Sequence, residues 1–297
     1  MSSGEIYQVP TLSAQSKDCG SLFSMWQHFD RDGVRVVFDF TSCTFIRPRA
    51  VAFLGGLIRL IESRGGVVFI DWDTMSSAVS MNLAQNGFKQ AFGGGATPWQ
   101  GNSIPYLEHR ESEPKTFAEF VQRTWLDRGW LGVSDQLAQA LTSSVGEIYV
   151  NVFEHADSAV GIHCCGQYYP NLKELSLTLI DFGVGIPTSV RRYLKTSGSP
   201  TWSSDAKCLE WAFRPGTSTR AGGLSGGLGL DNLCDFVKAT RGSLEIYSRG
   251  GQGVLRKGLM RYDNRADDFG GTMITIRVPC DDRYYVLGSE IALLNPF

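Results

Sequence analysis

Glu147-Ile148-Tyr149-Val150-Asn151-Val152-Phe153-Glu154-His155-Ala156 is the stretch on which the reading of this chain turns. Successive residues on a helix are about 100° apart, so positions three, four and seven apart share a face. Leu141, Val145, Ile148 and Val152 then form an apolar stripe with the period of a buried face. Glu147, Asn151, Glu154 and His155 line a polar stripe beside it. A carboxylate, an amide and an imidazole at the margin of a core stripe place polar groups at a pocket edge. A solvated face next to a buried one would give the same pattern. The spacing predicts a helix from Ser134, a plausible N-cap, to Ala156.

Three later stretches add chemistry. Leu175 to Ile180 reads as a strand running into Asp181-Phe182-Gly183-Val184-Gly185-Ile186-Pro187. At a strand end, Asp181 is poised to accept a hydrogen bond from an exocyclic amine, and Gly183 and Gly185 allow a sharp turn and close backbone approach. An ordinary tight turn is the plainer reading of the two glycines. Gly222-Gly223-Leu224-Ser225-Gly226-Gly227-Leu228-Gly229-Leu230 opens a helix, whose free N–H groups and positive end suit phosphate oxygens. No Gly-Lys-Ser/Thr follows, so this is not a Walker A loop. No clear strand feeds the glycines and no acidic ribose ligand stands out, which disfavours a Rossmann reading. Gly270-Gly271-Thr272 then starts a strand, Met273 to Val278.

Glu and Asn on a helix, Asp-x-Gly-x-Gly, Gly-x-Gly and Gly-Thr, in that order, resemble the nucleotide site of the GHKL ATPases (gyrase, heat-shock chaperone, histidine kinase and mismatch-repair type). The helix is closest to that of bacterial anti-sigma-factor serine kinases, which also have a Glu, three residues, an Asn and, four residues on, a His. The resemblance implies a Bergerat fold, a two-layer α/β sandwich with a mixed sheet backed by helices. It implies ATP and Mg²⁺ as ligands, with Asn151 on the metal and Asp181 reading adenine. Gly183, Gly185 and Thr272 would line the base, and Gly226, Gly227, Leu228 and Gly229 would cradle the phosphates. Magnesium keeps several waters, so one amide oxygen can supply the protein's share. Glu147 can accept a proton from water or from a substrate hydroxyl, the role of a general base, or be a surface helix charge. His155 could orient Glu147, touch a phosphate or simply pack. A lid at about 188–225 is expected, from which Thr217, Ser218 and Arg220 are candidates to reach the terminal phosphates. A solvent-exposed polar loop is the alternative, as β packing is for Thr272.

The first hundred residues alternate strand and helix patterns. Val34 to Phe40 is a β-branched run, Pro48 sits at a helix start, and Val51, Leu54, Ile58 and Ile61 keep helical spacing as far as Gly65-Gly66, before a strand at Val67 to Ile70. Val36-Val37-Phe38-Asp39-Phe40, Phe45-Ile46 and Gly65-Gly66 resemble a STAS domain, the fold of anti-sigma-factor antagonists. Where those antagonists carry Asp-Ser-Ser-Gly, with the phosphorylated serine, this chain has Arg47-Pro48-Arg49-Ala50. It is therefore not a phosphorylation target there, and docking of a partner or of the neighbouring domain is expected instead. The two arginines are expected as a solvated basic turn, with anion binding at the helix start as the alternative.

The expected organisation is α/β throughout: a STAS-like domain at 1–95, a polar connector at 96–115 and a GHKL domain at 116–297. A net charge of −2 gives no electrostatic reason to expect nucleic acid as a partner. Seven cysteines without Cys-x-x-Cys pairs fit reduced thiols in a cytoplasm. His163-Cys164-Cys165 does not read as a metal site, since strand alternation splits the three between faces. No secretion signal or membrane-length apolar run is evident. The expected function is a nucleotide-controlled bacterial signalling switch, hydrolysing ATP slowly or phosphorylating a protein partner. Its alternative is a non-catalytic, ATP-dependent, anti-sigma-like regulator. A homodimer is left open.

Overall fold

The computed structural model describes residues 4–12, 17–99, 101–214 and 228–290. In the first part, β1 (Glu5–Gln8), α1 (Lys17–Phe29), β2 (Arg35–Asp39), α2 (Pro48–Ser63) and β3 (Val67–Asp71) alternate, and the strands pair in parallel in the order β1-β2-β3. Parallel neighbours need crossovers, and α1 and α2 supply them. Val36 and Phe38 of β2 share one buried cluster with Phe23 and Phe29 of α1 and Phe53 and Leu57 of α2. Short helices α3 (Ser77–Gln85) and α4 (Phe88–Ala91) follow.

The remaining chain gives β4 (Ser103–His109), α5 (Pro114–Val121), a π-helical turn, β5 (Gly132–Val133), α6 (Asp135–His155), β6 (Ile162–Tyr169) and β7 (Glu174–Asp181). Then come α7 (Ile186–Thr196), α8 (Asp205–Ala212), α9 (Leu228–Ala239), β8 (Ser243–Ser248), β9 (Gly251–Arg256), β10 (Leu259–Asn264), β11 (Thr272–Pro279) and β12 (Tyr284–Tyr285). Seven strands form one sheet in the order β10-β9-β8-β11-β7-β6-β4. Every pairing in it is antiparallel, which corrects the expected mixed sheet. The reason is local: tight turns join β6 to β7, β8 to β9 and β9 to β10, and a short turn can only reverse a strand.

Helices α5, α6 and α9 cover one face of this sheet, around Leu177, Leu179, Ile246, Ile274 and Ile276. The other face, through Cys165, Ile180, Phe182, Tyr247 and Met273, shares its core with α1 and α2. The arrangement is therefore four layers, small sheet, helices, large sheet, helices, where two layers were expected for the second half alone. Helix α2 is the hinge of that stack. Thirteen of its sixteen residues are buried, as a helix between two sheets must be. Gly55 and Gly56 lie where a Cβ would overlap Tyr106 and Phe182 of the large sheet, so the helix can seat closely on it.

Within the expected connector at 96–115, where Ile104 to Leu107 reads as a candidate edge strand, Ser103–His109 pairs with β6 at the edge of the large sheet and Pro114 begins α5. Arg49 is not a solvated turn residue: it is 5% exposed and pairs at 3.0 Å with Glu245 of β8, which Arg277 also holds at 2.6 Å. Arg47 lies over the Tyr169 ring, 4.6 Å from its centre. The expected lid begins with two anchored helices. Arg191 of α7 binds the carbonyls of Trp202 and Ser203 and the Asp205 carboxylate, which in turn accepts the Gly250 N–H at 2.9 Å. Among the described residues, no helix is long and apolar enough to cross a membrane.

Candidate functional site

Helix α6 forms as its sequence dictates. The Ser134 hydroxyl accepts from the Leu137 N–H at 3.1 Å, and Leu141, Val145, Ile148 and Val152 are all buried. Glu147, Asn151 and His155 are partly exposed along its margin, and Glu154 is exposed. Glu147 lines a wide, open groove between α5 and α6, together with Ala118, Ser143 and Gly146.

The far end of α6 meets the Asp181 turn. The Ala156 carbonyl accepts the Val184 N–H at 2.7 Å, and the Ser189 hydroxyl donates to the His155 carbonyl at 2.9 Å. Gly183 passes so close that a Cβ there would overlap the Ala156 carbonyl. Gly185, at φ 81°, caps the start of α7 in a conformation that side chains avoid. Both glycines are thus demanded by geometry.

Strand register assembles the rest. Asp181 at the end of β7 lies opposite Thr272 at the start of β11, and Thr272 lies opposite Ser248 at the end of β8. The Ser248 hydroxyl donates to the Gly271 carbonyl at 2.8 Å, accepts the Ile186 N–H at 2.8 Å and lies 3.0 Å from the Thr272 hydroxyl. Sequence reasoning missed Ser248. Its one local mark is its place as the last residue of a strand, and its partners are 23 to 62 positions away.

Asp181 is 2% exposed. Burial pushes its carboxyl from 3.8 up to about 7, against the opposing pull of the Gly183 N–H, at 2.8 Å from Oδ1, and of Thr272. A carboxylate has about four acceptor positions, so capacity for a further donor remains.

Helix α9 runs into β8 through residues 240–242 and packs on α6. Ser243 pairs with Arg277, at the opposite rim from Thr272. A helix of twelve residues spans roughly 18 Å, about the length of β8, so α9 must begin at the rim that holds Asp181 and Thr272. Leu228 and Gly229 open α9. Thr217, Ser218, Arg220, Gly226 and Gly227 lie outside the described residues.

The structure therefore gathers α6's last turns, the Asp181 turn, Thr272 and the start of α9 at one end of the large sheet. His163 and Cys165 face α2 while Cys164 faces α6, and among the described residues no His, Cys, Asp and Glu cluster could hold a metal ion. Compared with known proteins, the chain matches no family model and no curated protein sequence.

Proposed function

We propose that this rim is an ATP·Mg²⁺ site of the GHKL type, in a chain whose first ninety-odd residues are a STAS-like layer, and that the protein is a nucleotide-controlled signalling switch. The observation that carries the reading is Asp181: a carboxylate buried at a strand end, in the turn that meets the end of α6, with acceptor capacity beyond the Gly183 N–H and Thr272. Burial leaves the rest of its acceptor capacity without water, and an exocyclic amine is a fitting further donor. The residues fit the remainder of the ligand as well. Asn151 stands about one helical turn before the Asp181 contact and offers an amide oxygen suited to magnesium. The start of α9 presents the positive end of a helix to phosphate oxygens.

Magnesium, when bound, would neutralise phosphate charge. The chain's own residues then divide the work: Asp181 accepts from the base, Thr272 and Ser248 hold the turn that frames it, and α9 orients the phosphates. Glu147, between the groove and the rim, takes the proton from an attacking water or from a partner's hydroxyl. A partner segment has access to Glu147 along the α5–α6 groove, which favours phosphotransfer to a protein beside slow hydrolysis.

Calorimetry with ATP and Mg²⁺ tests the site. Wild type should bind, and Asp181→Asn should bind at least about tenfold more weakly; equal binding by the two would remove the adenine assignment. Label on the γ-phosphate then separates outcomes: free phosphate marks an ATPase, labelled co-purified protein a kinase, and neither a binding switch.

A further inference from the structure

Strand alternation sends Asp181 and Phe182 to opposite faces of the large sheet. Asp181 takes the face of Leu177 and Leu179, on which α6 and α9 pack, while Phe182, 7% exposed, enters the core shared with α1 and α2. Its ring centre lies 5.3 Å from that of Phe53 of α2 and 5.5 Å from that of Phe269, which it meets edge-on. Phe269 precedes Gly270-Gly271-Thr272 and does the same for the second motif. It stacks on Phe23 of α1 at 4.9 Å and meets Trp26 edge-on at 5.7 Å, and the Gln27 side chain of α1 donates to the Asp268 carbonyl at 3.0 Å. Both turns that frame the Asp181 end of the site are thus keyed from behind by an aromatic ring. One key enters α2, the other reaches α1 and also Phe53 of α2 at 5.7 Å, and the two touch.

We propose that Phe182 and Phe269 are positioning residues through which the α1–α2 layer sets the geometry of the Asp181–Thr272 end of the site. The proposal rests on reading that rim as a nucleotide site. It gives the first ninety residues a regulatory role, because whatever shifts α2 also shifts the base-reading turn. Packed aromatic clusters rearrange between discrete arrangements and do not deform smoothly, so a displacement of α2 passes along the Phe182 backbone to the adjacent Asp181. Linkage is reciprocal. A ligand held by Asp181 must favour one position of α2 by the same free energy with which α2 favours the ligand.

Gly56 offers a perturbation that never touches the site. Its missing Cβ is the space occupied by the Phe182 ring edge, with the His163 ring beside it. Gly56→Ala therefore drives the ring from behind, and Phe182→Leu removes the key should the first variant fold poorly. Val79→Ala, buried in the same core on α3, is the control for simple loss of packing.

Two quantities are read in all four proteins: the titration midpoint of the Asp181 carboxyl by carbon-13 NMR, assigned with Asp181→Asn, and the affinity for Mg²⁺·ATP against Mg²⁺·GTP. Gly56→Ala or Phe182→Leu should move the midpoint by about half a pH unit or more and weaken ATP binding about tenfold, with a narrowed preference over GTP. Val79→Ala should change neither. Variants that titrate and bind as Val79→Ala does would overturn the proposal. If wild type binds neither nucleotide, the nucleotide reading fails, and the carboxyl titration alone decides whether the two rings position Asp181.

Discussion

Replacing Asp181 by Asn should stabilise the protein, by an amount that depends on pH. Burial raises the carboxyl from 3.8 to about 7, so between those values the folded state holds a proton that the unfolded state has released. The group's contribution is thus fully present below pH 3.8, is lost as pH rises toward 7, and stays lost above it. The displacement corresponds to about 4 kcal/mol against the folded state at pH 8. Asn keeps the acceptor for the Gly183 N–H and carries no charge to desolvate. Urea unfolding of wild type and Asp181→Asn at pH 8 and pH 4 should give a stability difference larger at pH 8 by roughly 3 to 4 kcal/mol, with unchanged m-values. All other ionisable groups are common to both proteins and cancel in that difference. A variant that is less stable at pH 8, or equally shifted at both pH values, would refute the assignment of Asp181 as a carboxyl held in a costly burial. A site residue that weakens the fold and is needed for binding is the expected compromise between stability and function.

Other outcomes follow from the same geometry. Glu147→Ala should cut ATP turnover by about a hundredfold or more while changing the ATP Kd less than about threefold, in parallel turnover and calorimetric measurements. His163, completely buried against α2 and held by the Tyr106 hydroxyl at 3.0 Å, has its imidazole pushed by burial from 6.5 down to about 4. The unfolded chain then takes up a proton that the fold refuses, so stability falls as pH drops from 6.5 toward 4, by up to about 3 kcal/mol. In wild type the Asp181 slope opposes this loss, so urea titrations of Asp181→Asn should show the steeper acid decline. Arg49→Met should cost about 2 to 3 kcal/mol in urea unfolding by leaving Glu245 with Arg277 alone, and adding Glu245→Gln should recover part of it.

The helix from Ser134 to His155 was legible because its signals are local and redundant: a cap, a 3.6-residue period and a long run. The same holds for the strand entering Asp181. Strands β9 and β10 were not legible. Leu259–Asn264 is the open edge of the sheet and Gly251–Arg256 its neighbour, and the glycines of β9 and the charged residues of β10 hide the apolar alternation that marks a half-buried strand. The fate of Arg49 could not be read either, since its partner lies 196 positions away. Asp205 ties Arg191, 14 positions before it, to Gly250, 45 positions after it, and so anchors the helices that open the expected lid. For the aromatic keys a signal did exist. Alternation along Leu175–Phe182 already sends Phe182 away from Asp181, but nothing local says that another layer waits on that side.

The stretch after β11 returns to the start of α6. Tyr284 and Tyr285 pair with Gly132 and Val133, the Ser134 N–H donates to the Tyr285 carbonyl at 2.9 Å, and Glu290 accepts from the Ser134 hydroxyl at 2.6 Å. Helix α6 is therefore pinned at its beginning by the chain's closing segment and at its end by the Asp181 turn, like a beam supported at both ends. Truncation before Tyr284 would release the support at the start of α6, more than 130 residues from the cut, and leave the helix held by its buried stripe and the Asp181 turn.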